Sequence, residues 1–326
     1  MANVKFSLFL PTGDFASAKQ AALQAERDGF YSVSINDHFF TPLGPPETPQ
    51  LECFTTLTAI AAVTSRLHLT PSVTAASFRT PPMLAKITST LDHVSNGRFI
   101  LGLGAGWKQD EYEAHGYAYP SNAERLAQLH EAIKVVKAMW TQESPTFHGR
   151  YFSITKAYNH PRPVQKPHPP IMLGGSGSGL LKIAAAEADI INLIPPIFNG
   201  QDFVNDPVAT VQFTSTELKR RIGMLHKLTR EAGRDPKGIE LGSIVFMALS
   251  RKSGDSRLEK LAQRLGFPDL ATAQHAPVAL MGTADEVKRE LQARVADVGM
   301  TYYILAPIPG DTYELFVKDV MPAFMS

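Results

Sequence analysis

Asp37 and His38 stand side by side at the end of SVSINDHF, Ser32 to Phe39, a short alternating run that reads as a strand. An acid beside a histidine is the pairing that orients an imidazole for proton transfer. Both are therefore read as candidate catalytic residues, His38 moving a proton and Asp37 fixing the ring. The alternative at this point is structural: a capping Asp next to a surface histidine. A second stretch that could do chemistry is Gly174-Gly175-Ser176-Gly177-Ser178-Gly179, which runs into the helix-like LLKIAAAEA. Glycines let backbone amides approach a ligand closely, and a helix N-terminus adds partial positive charge, so this loop suits a phosphate. Its spacing is not that of the G-x-G-x-x-G dinucleotide fingerprint. A third stretch, Gly102-Leu-Gly104-Ala-Gly106-Trp107, reads equally as close packing of a strand or as the wall of an apolar pocket ending in Trp107.

Other chemistries find little support. The 10 histidines include no pair at H-x-H or H-E-x-x-H spacing, so a metal-dependent hydrolase lacks its ligands and no metal site is expected. A glycosidase needs two facing carboxylates, and Asp37 is the one clear strand-end acid, with Glu52 and the pair Asp110 and Glu111 as poorer seconds. No G-x-S-x-G elbow is present for serine chemistry.

These residues need elements to hold them. Candidate strands fall at 4–10, 31–36, 67–73, 98–104, 170–175, 189–195, 239–249 and 301–307, with helix-like segments at 14–28, 51–64, 80–94, 121–141, 178–187, 214–233, 284–297 and 311–324. Such a β-then-α rhythm calls for parallel strands with right-handed crossovers, and eight repeats of it predict an α/β fold, a single (β/α)8 TIM barrel over residues 1–326. An open doubly wound sheet is the runner-up. In a barrel the strand ends converge on one mouth, which is where Asp37, His38, Ser72, Val73, Thr74 and the two glycine-rich stretches would meet. The regions 106–120 and 195–213 are expected to be irregular, the second long enough for a lid carrying Phe198, and 145–155 is expected to form a hairpin. Thr283 and Glu286 form a predicted capping box. Asp92, in LDHVSNGR, is expected to cap a helix or pair with Arg98.

Composition bounds the partners. The chain has 326 residues, 44% of them hydrophobic, and a net charge of +1 without a long basic run, so a small molecule is expected rather than nucleic acid or a membrane surface. Cys53 is the single cysteine, which excludes an internal disulfide, fits a cytoplasmic setting, and is read as a buried small hydrophobe. The apolar FSLFL near the start is too short for a secretory signal.

The run from Leu51 to Trp107, with RDGFYSVSINDHF, RPVQKPHPPIMLGG, VALMGTADEV and GMTYYIL, resembles the bacterial-luciferase-like superfamily, and within it the branch that uses coenzyme F420. The resemblance implies a (β/α)8 barrel holding the deazaflavin at its C-terminal mouth. It implies a non-prolyl cis peptide at Ser72–Val73 behind the ring, with Thr74, Gly104, Gly106 and Trp107 in the surrounding wall. It places Asp37 against the cofactor, His38 near C5, and Gly174, Gly175, Ser176, Gly177, Ser178 and Gly179 around the cofactor phosphate. Related sugar-phosphate dehydrogenases have a carboxylate where this chain has Trp107, which puts a sugar-phosphate substrate in doubt. The expected reaction is hydride transfer between the deazaflavin and a small organic substrate, apolar or aromatic given Phe39, Phe40, Trp107 and Phe198. The alternatives within the resemblance are an FMN-dependent monooxygenase using oxygen and a non-catalytic flavin-binding protein. Homodimers are common among such relatives.

Overall fold

The computed structural model describes residues 3–42, 44–196, 206–307 and 310–325. The chain divides into two compact units. One comprises Leu10–Gly174 with Ala186–Asp189; the other comprises Met1–Phe9, Gly175–Ala185 and Ile190–Ser326.

The first unit holds most of the residues singled out above. Its strand Ser32–Ile35 is buried along its whole length and pairs in parallel with His68–Pro71. That partner breaks at Ser72–Val73, whose peptide bond is cis as the resemblance implies, and resumes at Thr74–Ala75, which pairs with the end of Leu101–Gly104. Leu101–Gly104 in turn pairs with Ile171–Gly174. Strands buried on both faces read as apolar runs, as Leu101–Gly104 and Ile171–Gly174 do, whereas Ser32–Ile35 shows in the sequence as alternation. The helix Phe15–Asp28 starts where Asp14 accepts the Ser17 amide, buries Ala18, Ala22 and Ala25 at helical spacing, and ends at Gly29 with φ 89°, a left-handed cap that glycine adopts without a Cβ clash. The helix Cys53–Ala61 is capped by Glu52, whose carboxylate accepts the Phe54 and Thr55 amides. Its face of Phe54, Leu57 and Ile60 is buried, each side chain contributing on the order of 1.5–3 kcal/mol. Cys53 is buried and free, and burial pushes its thiol well up, as expected of a core residue.

In the second unit the described strands pair in parallel, among them Lys5–Phe9 with Met300–Pro307, Met300–Pro307 with Glu240–Leu249, and Glu240–Leu249 with Ile190–Asn192. The expected capping box at Thr283 and Glu286 opens the helix Ala284–Val298.

Four expectations need correction. Ala279–Gly282, not read as a strand, pairs with the distal half of Glu240–Leu249. The region 106–120 is not irregular throughout, since Gln109–Ala114 is a helix. The stretch 311–324 is a turn of α-helix, then a π-helical and a 3-10 segment, rather than one helix. Asp92 does not pair with Arg98; its oxygens accept the backbone and side-chain amides of Gln165, while Arg98 donates to the carbonyls of Ala61, Thr64, Leu67 and Ser95. Its role stays structural. The hairpin is present as Phe147–His148 against Ser153–Ile154. Phe198 lies outside the described residues, and of the expected lid the described part carries the short helix Pro207–Gln212. Among the described residues no helix is long and apolar enough to cross a membrane.

Candidate functional site

The strand Ser32–Ile35 delivers Asp37 and His38 to its C-terminal end, but the two side chains are not partners. Successive residues of an extended chain point to opposite sides, so neighbours on a strand end reach different surroundings. Asp37, 6% exposed, accepts a hydrogen bond from the Thr74 hydroxyl and two from Arg79, Nη1 at 2.6 Å and Nη2 at 3.1 Å. Arg79 also donates to Glu52 at 2.6 Å and lies over the Phe54 ring, 4.5 Å from its centroid. Burial acts upward on Glu52, yet hydrogen bonds from Thr55 and the charge of Arg79 hold its carboxyl below the usual range. The result is a buried acid, a cation and a helix-capping acid in one chain of contacts. The expectation that Asp37 fixes the histidine is therefore wrong: its oxygens are committed to Thr74 and Arg79.

His38 turns the other way. Its Nδ1 is 2.7 Å from Oε2 of Glu111, a side chain with no exposure, while the imidazole keeps 12%. The other Glu111 oxygen accepts the backbone amide of Phe39. Glu111 sits in the first turn of Gln109–Ala114, where the helix dipole favours a carboxylate. Next to it Tyr112 is wholly buried and hydrogen-bonded to Ser77, and burial pushes its phenol up to about 12. The Trp107 indole meets the His38 ring edge-to-face, centroids 5.6 Å apart. Phe39, 44% exposed, stacks on His115 at 4.3 Å, and Lys108 sits over the Phe40 ring. An imidazole with one committed nitrogen thus stands beside an aromatic shelf.

Several glycines have packing reasons. A Cβ at Gly104 or at Gly174 would come within 2.9 Å of the Val73 side chain, and one at Gly106, where φ is 79°, would collide with the Tyr112 hydroxyl. The packing interpretation of 102–106 thereby gains direct support. Ser72 keeps a buried hydroxyl that no described residue partners. Thr74 is buried and spends its hydroxyl on Asp37.

In the other unit, the loop after Gly174 is anchored at three points. The Gly175 amide donates to Asn192, Ser176 Oγ donates to the Ile194 carbonyl at 2.6 Å, and Arg221 donates to the Ser176 carbonyl at 2.8 Å. Glu217 holds Arg221 at 2.6 Å; hydrogen bonds from Arg220 first, and from Arg221, bring its carboxyl down to about 2. Gly177 opens on free space, and the helix Ser178–Glu187 begins there with first-turn amides that have no intrahelical acceptor.

Sequence reasoning missed Glu111 and Arg79. The sequence offers Glu111 only as a second glycosidase acid and assigns Arg79 no role. A buried-looking Glu-Tyr pair after a glycine-rich strand end was the available signal.

The family model for luciferase-like monooxygenases matches residues 4–202. An F420-dependent glucose-6-phosphate dehydrogenase of Kineococcus radiotolerans is 36% identical over 178 residues, 54% of this chain but only 52% of that protein, so the match spans about half of that relative. A protein of the same name from Amycolatopsis mediterranei is 32% identical across 92% of both chains. Among solved structures, an F420-dependent secondary alcohol dehydrogenase in complex with an F420-acetone adduct has a TM-score of 0.81 at 20% identity, covering 99% of this chain and 100% of the other, which shows a shared fold and agrees with the (β/α)8 class. The chain belongs to the luciferase-like monooxygenase family.

Proposed function

We propose that this protein is an F420-dependent oxidoreductase that transfers a hydride between the deazaflavin and a small organic substrate, with His38 as the proton donor or acceptor. The observation that carries the proton role is the 2.7 Å contact of His38 Nδ1 with buried Glu111, which leaves Nε2 as the nitrogen without a described partner. Support for the cofactor comes from the relatives named above and from one feature of the residues present, the unpartnered buried hydroxyl of Ser72 beside Val73. When bound, coenzyme F420 supplies a two-electron hydride donor or acceptor at C5. The chain's own share is positional. Ser72 and Val73 back the ring, Trp107 fixes the plane of the His38 imidazole, and Phe39, Phe40 and Trp107 keep water from a substrate that is apolar or aromatic.

For Gly175, Ser176, Gly177, Ser178 and Gly179 the proposal is narrower: their loop and the helix start take a phosphate group. FMN as cofactor, with oxygen as co-substrate, is the second reading, favoured by the monooxygenase description of the family. Titration of the apo-protein with oxidised F420 and, separately, with FMN decides between them. F420 is expected to bind at micromolar or lower concentration with FMN ignored, and Gly177→Glu, placing a carboxylate in the open loop, is expected to weaken that binding at least tenfold. Selective binding of FMN would move the protein to the oxygen-using branch.

Homodimerisation through the helices Cys53–Ala61 and Pro81–Val94 is also proposed. The groove between them, about 710 Å³, is lined by Phe54, Ala59, Ile87 and Val94, and Val94 is 41% exposed. Light scattering should give twice the 35.6 kDa chain mass, and Val94→Asp should lower it; a monomer at micromolar concentration would remove the idea.

A further inference from the structure

We infer that Glu111 is a positioning residue that fixes the tautomer of His38, and so decides which of its nitrogens exchanges the proton. The inference rests on the reading of His38 given above.

Two observations and one rule of histidine chemistry combine. The Phe39 amide is a donor and nothing else, so Oε1 of Glu111 must accept from it. An ionised carboxylate has only acceptor sites, so Oε2, 2.7 Å from Nδ1, requires the proton on Nδ1. The identity of the working nitrogen in a histidine is set by the hydrogen bond the other one makes. With Nδ1 committed as a donor, the lone pair of the neutral ring is on Nε2, and Nε2 is also where the imidazolium gives its proton back.

The second part of the inference is a closed circuit. Glu111 holds Phe39 by its backbone amide; the Phe39 ring stacks on His115; and His115 Nδ1 returns to the Glu111 carbonyl at 2.9 Å. The helix that carries Glu111 is itself seated by Tyr112, which packs against Phe78 and Tyr119 and bonds Ser77. One buried acid therefore sets both the proton-bearing nitrogen and the aromatic shelf next to it, which is the economy expected where a reacting geometry has to be held by its surroundings.

The test is long-range proton-nitrogen correlation NMR of the 15N-labelled full chain without ligand, with His38→Asn assigning the signals. The wild type should show a protonated Nδ1 and an unprotonated Nε2 for His38 at a pH where the ring is neutral. Glu111→Gln should lose that preference while binding oxidised F420 within threefold of the wild type, and Glu111→Asp should restore part of it. An Nε2-protonated ring in the wild type, or an unchanged pattern in Glu111→Gln, overturns the inference. The wild-type spectrum decides the matter even where a variant does not fold. The reading of His38 as the proton group fails separately, by undiminished turnover in His38→Ala, and leaves the tautomer result standing.

Discussion

His38→Ala is expected to fold, to bind F420 with little change, and to lose turnover by about 10²- to 10⁴-fold, the range that a positioned general acid or base supplies. The expectation follows from geometry. His38 contacts Glu111 and Trp107 and is partly open; its removal takes one partner from Glu111, whose carboxylate keeps the Phe39 amide and its place in the first turn of a helix. Circular dichroism and F420 fluorescence check the fold and the binding, and steady-state rates check the loss. If turnover stays within threefold of the wild type, the ring is not the proton carrier.

A loss of stability of about 3–5 kcal/mol is expected for Arg79→Met, because removing one member of a buried pair strands the other charge. Asp37 is 6% exposed, and after the substitution only the Thr74 hydroxyl would remain to it among the contacts described. Glu52, half exposed, would recover its missing partner from water, so the cost falls mainly on Asp37. Denaturant unfolding measures it. The double variant Asp37→Asn with Arg79→Met should recover much of the loss, since a neutral amide next to Thr74 no longer needs a cation. A single variant as stable as the wild type would show that Asp37 is not held charged in the folded state.

The elements were legible where burial imposes a pattern over many residues. The runs at 101–104, 171–174 and 240–249 are largely apolar because parallel strands are covered on both faces, 32–35 shows the alternation of Val and Ile with Ser, and the helix Phe15–Asp28 shows alanines at helical spacing between its two caps. Gln109–Ala114 escaped because only Glu111 and Tyr112 of its six residues are buried, and two adjacent positions carry no period. The site was half legible. Asp37 and His38 were found because a strand end is a local feature. Their partners were not, because Glu111 lies 73 residues from His38 and Arg79 lies 42 from Asp37, and nothing in chain spacing encodes a contact made only after the strands have been laid side by side. Adjacency was in fact misleading: it suggested that Asp37 serves His38, whereas alternation along the strand sends them to separate neighbours.

Val73 has a consequence for how this sequence can drift. Its methyl groups fill the room in which side chains at positions 104 and 174 would begin, so three residues on three different strand ends share one volume. Any enlargement at 104 or 174 therefore requires shrinkage at 73, and the permitted histories are paired exchanges rather than single ones. Among descendants and relatives, glycine at those two positions and a β-branched residue at 73 should be inherited as a set.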